Sequence, residues 1–234
     1  MNLEIKPVIR VIDEKCVNCH MCISVCPVKY CIDGSGEKVS VRHKLCIGCG
    51  QCIRACTHEA REGVDDFDAF MDALAHRENM IAVVAPAVAA RYPDDFLRFN
   101  GWLASLGVQA IFDVAFGAEL TVESYLRHIK KYSPRLVIAQ PCPAIVTYIE
   151  LYQPELLPYL APADSPMLHA IKAARAMRPE YARAKVAVIS PCVAKRREFD
   201  ETGLGDYNVT LERIGKYIEK ERVNLRAFAE RDFD

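Results

Sequence analysis

Apolar residues follow two rhythms along this chain, and the change comes near residue 80. Beyond it, short apolar runs such as IAVVA (81–85), VQAIFDV (108–114), RLVIA (135–139) and KVAVIS (185–190) alternate with longer stretches. Those stretches, DDFLRFNGWLASL, LTVESYLRHIKK, AIVTYIELY, SPMLHAIKAARAM and TLERIGKYIEKE, repeat apolar positions every three or four residues, the spacing of one helix face. Strand-length runs alternating with helices predict βαβ units around a mainly parallel sheet. Just before, VDDFDAFMDALAHRE sets Phe67, Phe70, Met71 and Leu74 at helical spacing, and Asp65 or Asp66 suits its start. A linker helix is expected over 65–77. Residues 1–62 show neither rhythm, apart from KVSVR at 38–42, which follows a Gly34-Ser35-Gly36 turn and suits a small hairpin.

Two of the apolar runs finish in the same way. LVIAQPCPAI, residues 136–145, enters Cys142 between Pro141 and Pro143, and VAVIS runs into Pro191-Cys192. A proline donates no ladder hydrogen bond, so LVIA is expected to be a short buried strand that stops there. In open α/β sheets, ligands gather outside the carboxyl ends of strands. Both thiols stand at such ends; the plainer alternative is two small, inert core residues.

The chain carries eleven cysteines, nine of them between Cys16 and Cys56. CVNCHMCISVC (16–26) and CIGCGQCIRAC (46–56) are one unit used twice, thirty residues apart, with all four cysteines in register. The first copy, followed by Pro27, matches the C-x2-C-x2-C-x3-C-P run of bacterial ferredoxins; the second has Thr57 in place of the proline. Zinc also takes four thiolates, but its sites usually present two separated C-x2-C pairs. In two-cluster ferredoxins the fourth cysteine of each run ligates the other cluster. The resemblance therefore implies one 4Fe-4S cluster on Cys16, Cys19, Cys22 and Cys56, and a second on Cys46, Cys49, Cys52 and Cys26. Cys31 belongs to neither run and is expected to be a spare thiol, with His20, His43 and His58 at the surface.

Further on, VVAPAVAARY, GVQAIFDVAFGAELT, PCPAIVTYIELYQPELLPYLAPADSPM and VISPCVAKRREF follow one another and resemble, in that order, the catalytic domain of iron-only hydrogenases. The resemblance implies a third 4Fe-4S cluster bridged to a diiron subcluster that reduces protons or oxidises hydrogen. It maps Cys142 and Cys192 onto two of four cluster ligands, Lys195 onto a lysine that hydrogen-bonds a cyanide, Glu198 onto the acid closing the same motif, and Ser165-Pro166 onto a pair lining the diiron pocket. By charge alone, Lys195-Arg196-Arg197 would read as a solvated run. The family's proton-donor cysteine falls at Pro141, its relay serine at Ala161, two relay glutamates at Tyr125 and His128, and a common glutamine at Met167. No cysteine follows Cys192, so the chain is expected to be a fragment and, as it stands, not to turn over hydrogen.

Composition adds limits. A net charge of −1 gives no electrostatic case for nucleic acid. The longest apolar stretch, IAVVAPAVAA at 81–90, is about half a bilayer span, and MNLEIKPVIR lacks the apolar core of an export signal. A cytoplasmic iron-sulfur protein with redox partner proteins is expected. Its fold class is an α+β ferredoxin-like two-cluster module (1–62), a linker helix (63–79) and an incomplete α/β domain with a mainly parallel sheet (80–234).

Overall fold

The computed structural model describes residues 5–234; residues 1–4, part of the stretch expected to hold no export signal, lie outside them. The chain forms two compact units that are not consecutive in sequence. One comprises residues up to Val64 together with Cys142–Pro158 and Cys192–Glu198; the other comprises Asp65–Pro141, Tyr159–Pro191 and Phe199–Asp234.

In the part of the first unit up to Val64 every element is short. β1 (Ile9–Val11), α1 (Met21–Ser24), β2 (Ile32–Asp33), β3 (Ser40–Val41), α2 (Gln51–Arg54) and β4 (Arg61–Gly63) make two antiparallel pairs, β1 with β4 and β2 with β3. The repeat is visible in the backbone. The residue two places after the first cysteine and the one before each helix are left-handed in both copies: Asn18 and His20 at φ 53° and 64°, Gly48 and Gly50 at 75°. That winding folds each C-x2-C-x2-C segment into a loop whose first and third thiols are buried. The expected hairpin is β2–β3. Asp33 pins its turn, accepting from the Ser35 amide and hydroxyl and from Arg42, which holds its carboxyl down at about 2. The core has few large side chains: Val8, Ile9, Val28, Ile32, Val39 and Ile47 pack among the thiols.

In the second unit, α3 (Phe67–Ala75), β5 (Met80–Val84), α4 (Ala87–Arg91), α5 (Phe96–Ser105), β6 (Ala110–Asp113) and α6 (Val114–Tyr132) come first. α7 (Pro143–Tyr152) belongs to the first unit; α8 (Pro166–Met177), β7 (Lys185–Ser190), α9 (Lys195–Thr202), β8 (Tyr207–Thr210) and α10 (Leu211–Lys220) follow. The sheet order is β6-β5-β7-β8, all parallel. Alternate residues serve opposite faces. Met80, Ala82 and Val84 pack with α3, α5 and α10, while Ile81 and Val83 pack with α8. Covering both faces explains why the strands read as continuous apolar runs.

Two expectations change, and one strand is new. LVIA is not a sheet strand: it makes one parallel bridge, Ile138 with Leu160, and none of residues 136–139 is buried. Its polar groups are met locally, Ile138 N–H by Tyr159 and Ile138 O by Ala161 N–H, while the Gln140 amide donates to Ala161 O at 2.8 Å and to Ala163 O. The helix expected as a linker buries Phe67, Phe70, Ala73 and Leu74 in the second unit's core. Asp65 accepts from Phe67 N–H and Thr210 N–H, and Asp66 from Asn208 N–H, tying the start of α3 to β8. That strand, YNVT in sequence, does not stand out as an apolar run because Asn208 and Thr210 are polar, yet both are buried with Val209.

α6 and α8 meet where Gly117 lacks a side chain. A Cβ there would lie 2.1 Å from Pro166 O and 2.8 Å from Ala170 N. Backbone cannot yield as a side-chain tip can, so Gly117→Ala is expected to cost at least the ~1–3 kcal/mol of ordinary overpacking. A thermal melt lowered by several degrees checks this; an unchanged melt refutes the close approach.

Candidate iron-sulfur centres

Five thiols line one pocket: Cys26, Cys31, Cys46, Cys49 and Cys52. Cys26 comes from the first copy and the last three from the second. The remaining wall is largely apolar, with Ile9, Val28, Ile32, Val41 and Ile47. Donors converge on Cys46, whose sulfur meets the Cys31 thiol, the Gly48 N–H at 3.4 Å and the Arg197 guanidinium. Against burial, these bring its thiol down to about 6, and the shared proton is held on Cys31, which is pushed up. Burial raises Cys52 to about 12 and Cys49 less far. Gly48 must stay small as well as left-handed, since a Cβ would stand 3.0 Å from Val8 and 3.2 Å from Ala194.

Arg61 stands beside two thiols of the other proposed set, Cys22 and Cys16. Cys16 and Cys22 are buried, Cys56 half-buried and Cys19 exposed. Arg61 Nη2 donates to Cys22 Sγ at 3.2 Å, and Ala60 N–H to Cys56 Sγ at 3.3 Å. Burial would raise the Cys16 thiol, but the Val39 and Asn18 amides, with Arg61 and Lys38, bring it below its usual value. Arg61 is itself buried, and its Nη1 has no hydrogen-bond partner.

Cys142 and Cys192 fall together in the first unit. Cys142 is the N-cap of α7, with Pro143 at its first position. Cys192 follows β7, and its sulfur receives the Ala194 and Lys195 amides. Burial raises the thiol, and a charge on nearby Cys142 adds to that. Lys195 and Glu198 form a buried pair, Nζ to Oε2 2.8 Å at 7% and 15% exposure. The run that charge alone would leave in solvent thus buries Lys195 and Arg197. Arg197 was not anticipated as a contact of Cys46; its only sequence signal is its place two residues past Lys195.

The other positions are occupied differently. Ser165 caps α8 in the second unit, accepting from Leu168 N–H at 3.4 Å. Tyr125 Oη accepts the Gln140 backbone N–H at 3.1 Å, His128 packs on Tyr132, and Ala161 and Met167 are buried. All eleven thiols are free. Among the described residues no three Cys, His, Asp or Glu side chains gather tightly enough for a single ion, whereas a cubane spreads its ligands over separate corners.

Residues 78–234 match the family described as iron-only hydrogenase large subunit, C-terminal domain. The chain belongs to that family. Residues 8–57 match a 4Fe-4S dicluster domain. This hydrogenase-family chain is 27% identical to the NADP-reducing hydrogenase subunit HndD of Solidesulfovibrio fructosivorans, over 94% of its own length and 46% of the relative's. It is 26% identical to iron hydrogenase 1 of Clostridium pasteurianum, over 87% and 47%. The chain therefore spans about half the length of these relatives. Among solved structures, the apo FeFe-hydrogenase HydA1 of Chlamydomonas reinhardtii superposes with a TM-score of 0.62 over 73% of this chain and 51% of that one, at 21% identity. Family membership makes this an iron-sulfur protein with a hydrogenase-type parallel sheet.

The thiol groups fit 4Fe-4S clusters. Thiolates are the soft donors iron-sulfur clusters take. N–H donors aimed at Cys46, Cys56 and Cys16 match the anionic character of a ligated cluster, and the unpartnered Arg61 Nη1 points to an anionic group beside Cys22.

Proposed function

We propose that this chain carries electrons through two 4Fe-4S clusters, one on Cys16, Cys19, Cys22 and Cys56 and one on Cys46, Cys49, Cys52 and Cys26. They serve a third cluster site to which Cys142 and Cys192 contribute. The observation that carries this is the pocket in which Cys26 of one copy joins three thiols of the other, as crossed ligation requires. When bound, the clusters supply one-electron chemistry. The protein contributes the shell: apolar side chains exclude water, and N–H groups offset negative charge at the sulfurs. Lys195 and Glu198, close after Cys192, pair with one another in a buried place, so that neither charge is left uncompensated there.

The complete protein is taken to exchange electrons with a cytoplasmic redox partner and to reduce protons, oxidise hydrogen or sense it. Among the described residues, no helix is long and apolar enough to cross a membrane. A second reading keeps the clusters and fold without hydrogen chemistry, as a scaffold or electron carrier. Pro141 favours it, since a side chain without a titratable proton stands beside Cys142. Iron and sulfide analysis of anaerobically reconstituted protein tests the cluster count: eight of each are expected on the two ferredoxin-type sites. A zinc-loaded protein with no sulfide sinks both readings. Infrared bands of iron-bound carbon monoxide and cyanide after maturation distinguish the first from the second.

A further inference from the structure

The two copies differ at a position that bears directly on the thiols. Thirty residues apart, Cys31 and Arg61 stand five places after the last cysteine of their copies. Both are buried, at 2% and 4% exposure. Cys31 hydrogen-bonds Cys46 and Cys26 and lines their pocket. Arg61 donates to Cys22 at 3.2 Å and keeps a second nitrogen buried without a partner. The same place in the repeat thus puts a thiol in one group and a guanidinium hydrogen-bonded to the other, although the Arg61 charge also reaches Cys52 of the first.

Hydrogen bonds to the sulfurs and nearby charge set the potential of an iron-sulfur cluster. Reduction adds negative charge, so a donor stabilises the reduced state more than the oxidised one, and a buried cation does so more strongly than a neutral S–H. We propose that Arg61 and Cys31 are the positioning residues through which the two clusters are tuned separately. Arg61 raises the potential of the cluster on Cys16, Cys19, Cys22 and Cys56, and Cys31 that of the other. The inference rests on the two-cluster reading above. Arg197 also reaches Cys46, so the pocket loses only part of its donor set when Cys31 is removed.

The test is a spectroscopic redox titration of the full reconstituted chain, with iron content measured on every sample. Arg61→Gln is expected to shift one cluster to lower potential by about tenfold in its reduced-to-oxidised ratio, ~59 mV for one electron, while the other, whose Cys52 the Arg61 charge also reaches, moves clearly less. Arg61→Lys, which keeps the charge, recovers most of the shift. Cys31→Ala lowers the other cluster, by less. Full iron with no shift, or equal shifts of both clusters, overturns the proposal. So does iron loss in both Arg61 variants, which makes the residue a structural support, or loss of half the iron in Cys31→Ala, which makes Cys31 a ligand. Wild-type protein without cluster signals overturns the underlying reading instead.

Discussion

Anaerobic removal of iron is expected to unfold the first unit and leave the second folded. The elements of the first unit up to Val64 cannot stand alone. Its strands are two or three residues long and α1 and α2 four each, well below the ~12–15 residues at which an isolated helix becomes marginal in water. A lone two-stranded pair is marginal too. Its core puts Cys16, Cys22, Cys31, Cys46 and Cys52 where a larger domain would place leucine or phenylalanine. Binding energy at such sites is folding energy. The second unit has four paired strands covered on both faces by Phe70, Phe99, Leu103, Ile171 and Ile214, each less than 2% exposed.

Hydrogen exchange resolves the outcome by segment. Amides of 9–63 should lose protection on chelation while β5 and β7 keep theirs. α7 gives a sharper check, because sequence order places it with the α/β region but packing places it with the cysteines. Tyr152 Oη donates to Leu45 O at 2.7 Å, and Tyr148 and Tyr152 cover the thiol-rich core. Its amides should therefore exchange with the N-terminal unit. Retained protection in 9–63 after iron loss would show that side-chain packing alone suffices.

What could be read from the chain follows from how local each signal is. The repeated cysteines and the helical spacings of α5, α6, α8 and α10 are local, and the elements appear where expected. LVIA failed because an apolar run says nothing about whether a neighbouring strand exists to pair with it; Ile138 finds only Leu160. β8 failed for the converse reason, since Asn208 is 1% exposed yet polar, its N–H met by Asp66 from 142 residues away. The burial of Arg197, and the joining of Cys142–Pro158 and Cys192–Glu198 to the first sixty-four residues, depend on contacts across more than a hundred positions. No window of sequence contains them.

Hydrogen evolution from this chain, matured anaerobically and supplied with reductant, is expected to stay at background. Proton delivery by a positioned acid or base contributes about 10²- to 10⁴-fold, and it needs a titratable group within hydrogen-bond reach of the reacting atoms. Beside Cys142 stands Pro141, which has no proton to give. Where the resemblance would place a relay glutamate stands Tyr125, a phenol in place of a carboxylate, whose oxygen accepts the Gln140 backbone N–H, and Ala161 carries no hydroxyl. Lys195 is held by Glu198 at 2.8 Å and so serves charge balance more readily than proton transfer. Pro141 is exposed and precedes the N-cap of α7, so Pro141→Cys should leave stability within ~0.5 kcal/mol. The chain holds only two of the four cluster cysteines that the resemblance calls for, so hydrogen evolution by that variant is also expected to stay at background. Gas chromatography against a protein-free control measures the result. Turnover by the unaltered chain would mean that protons reach the site by a route that uses neither Pro141 nor Tyr125.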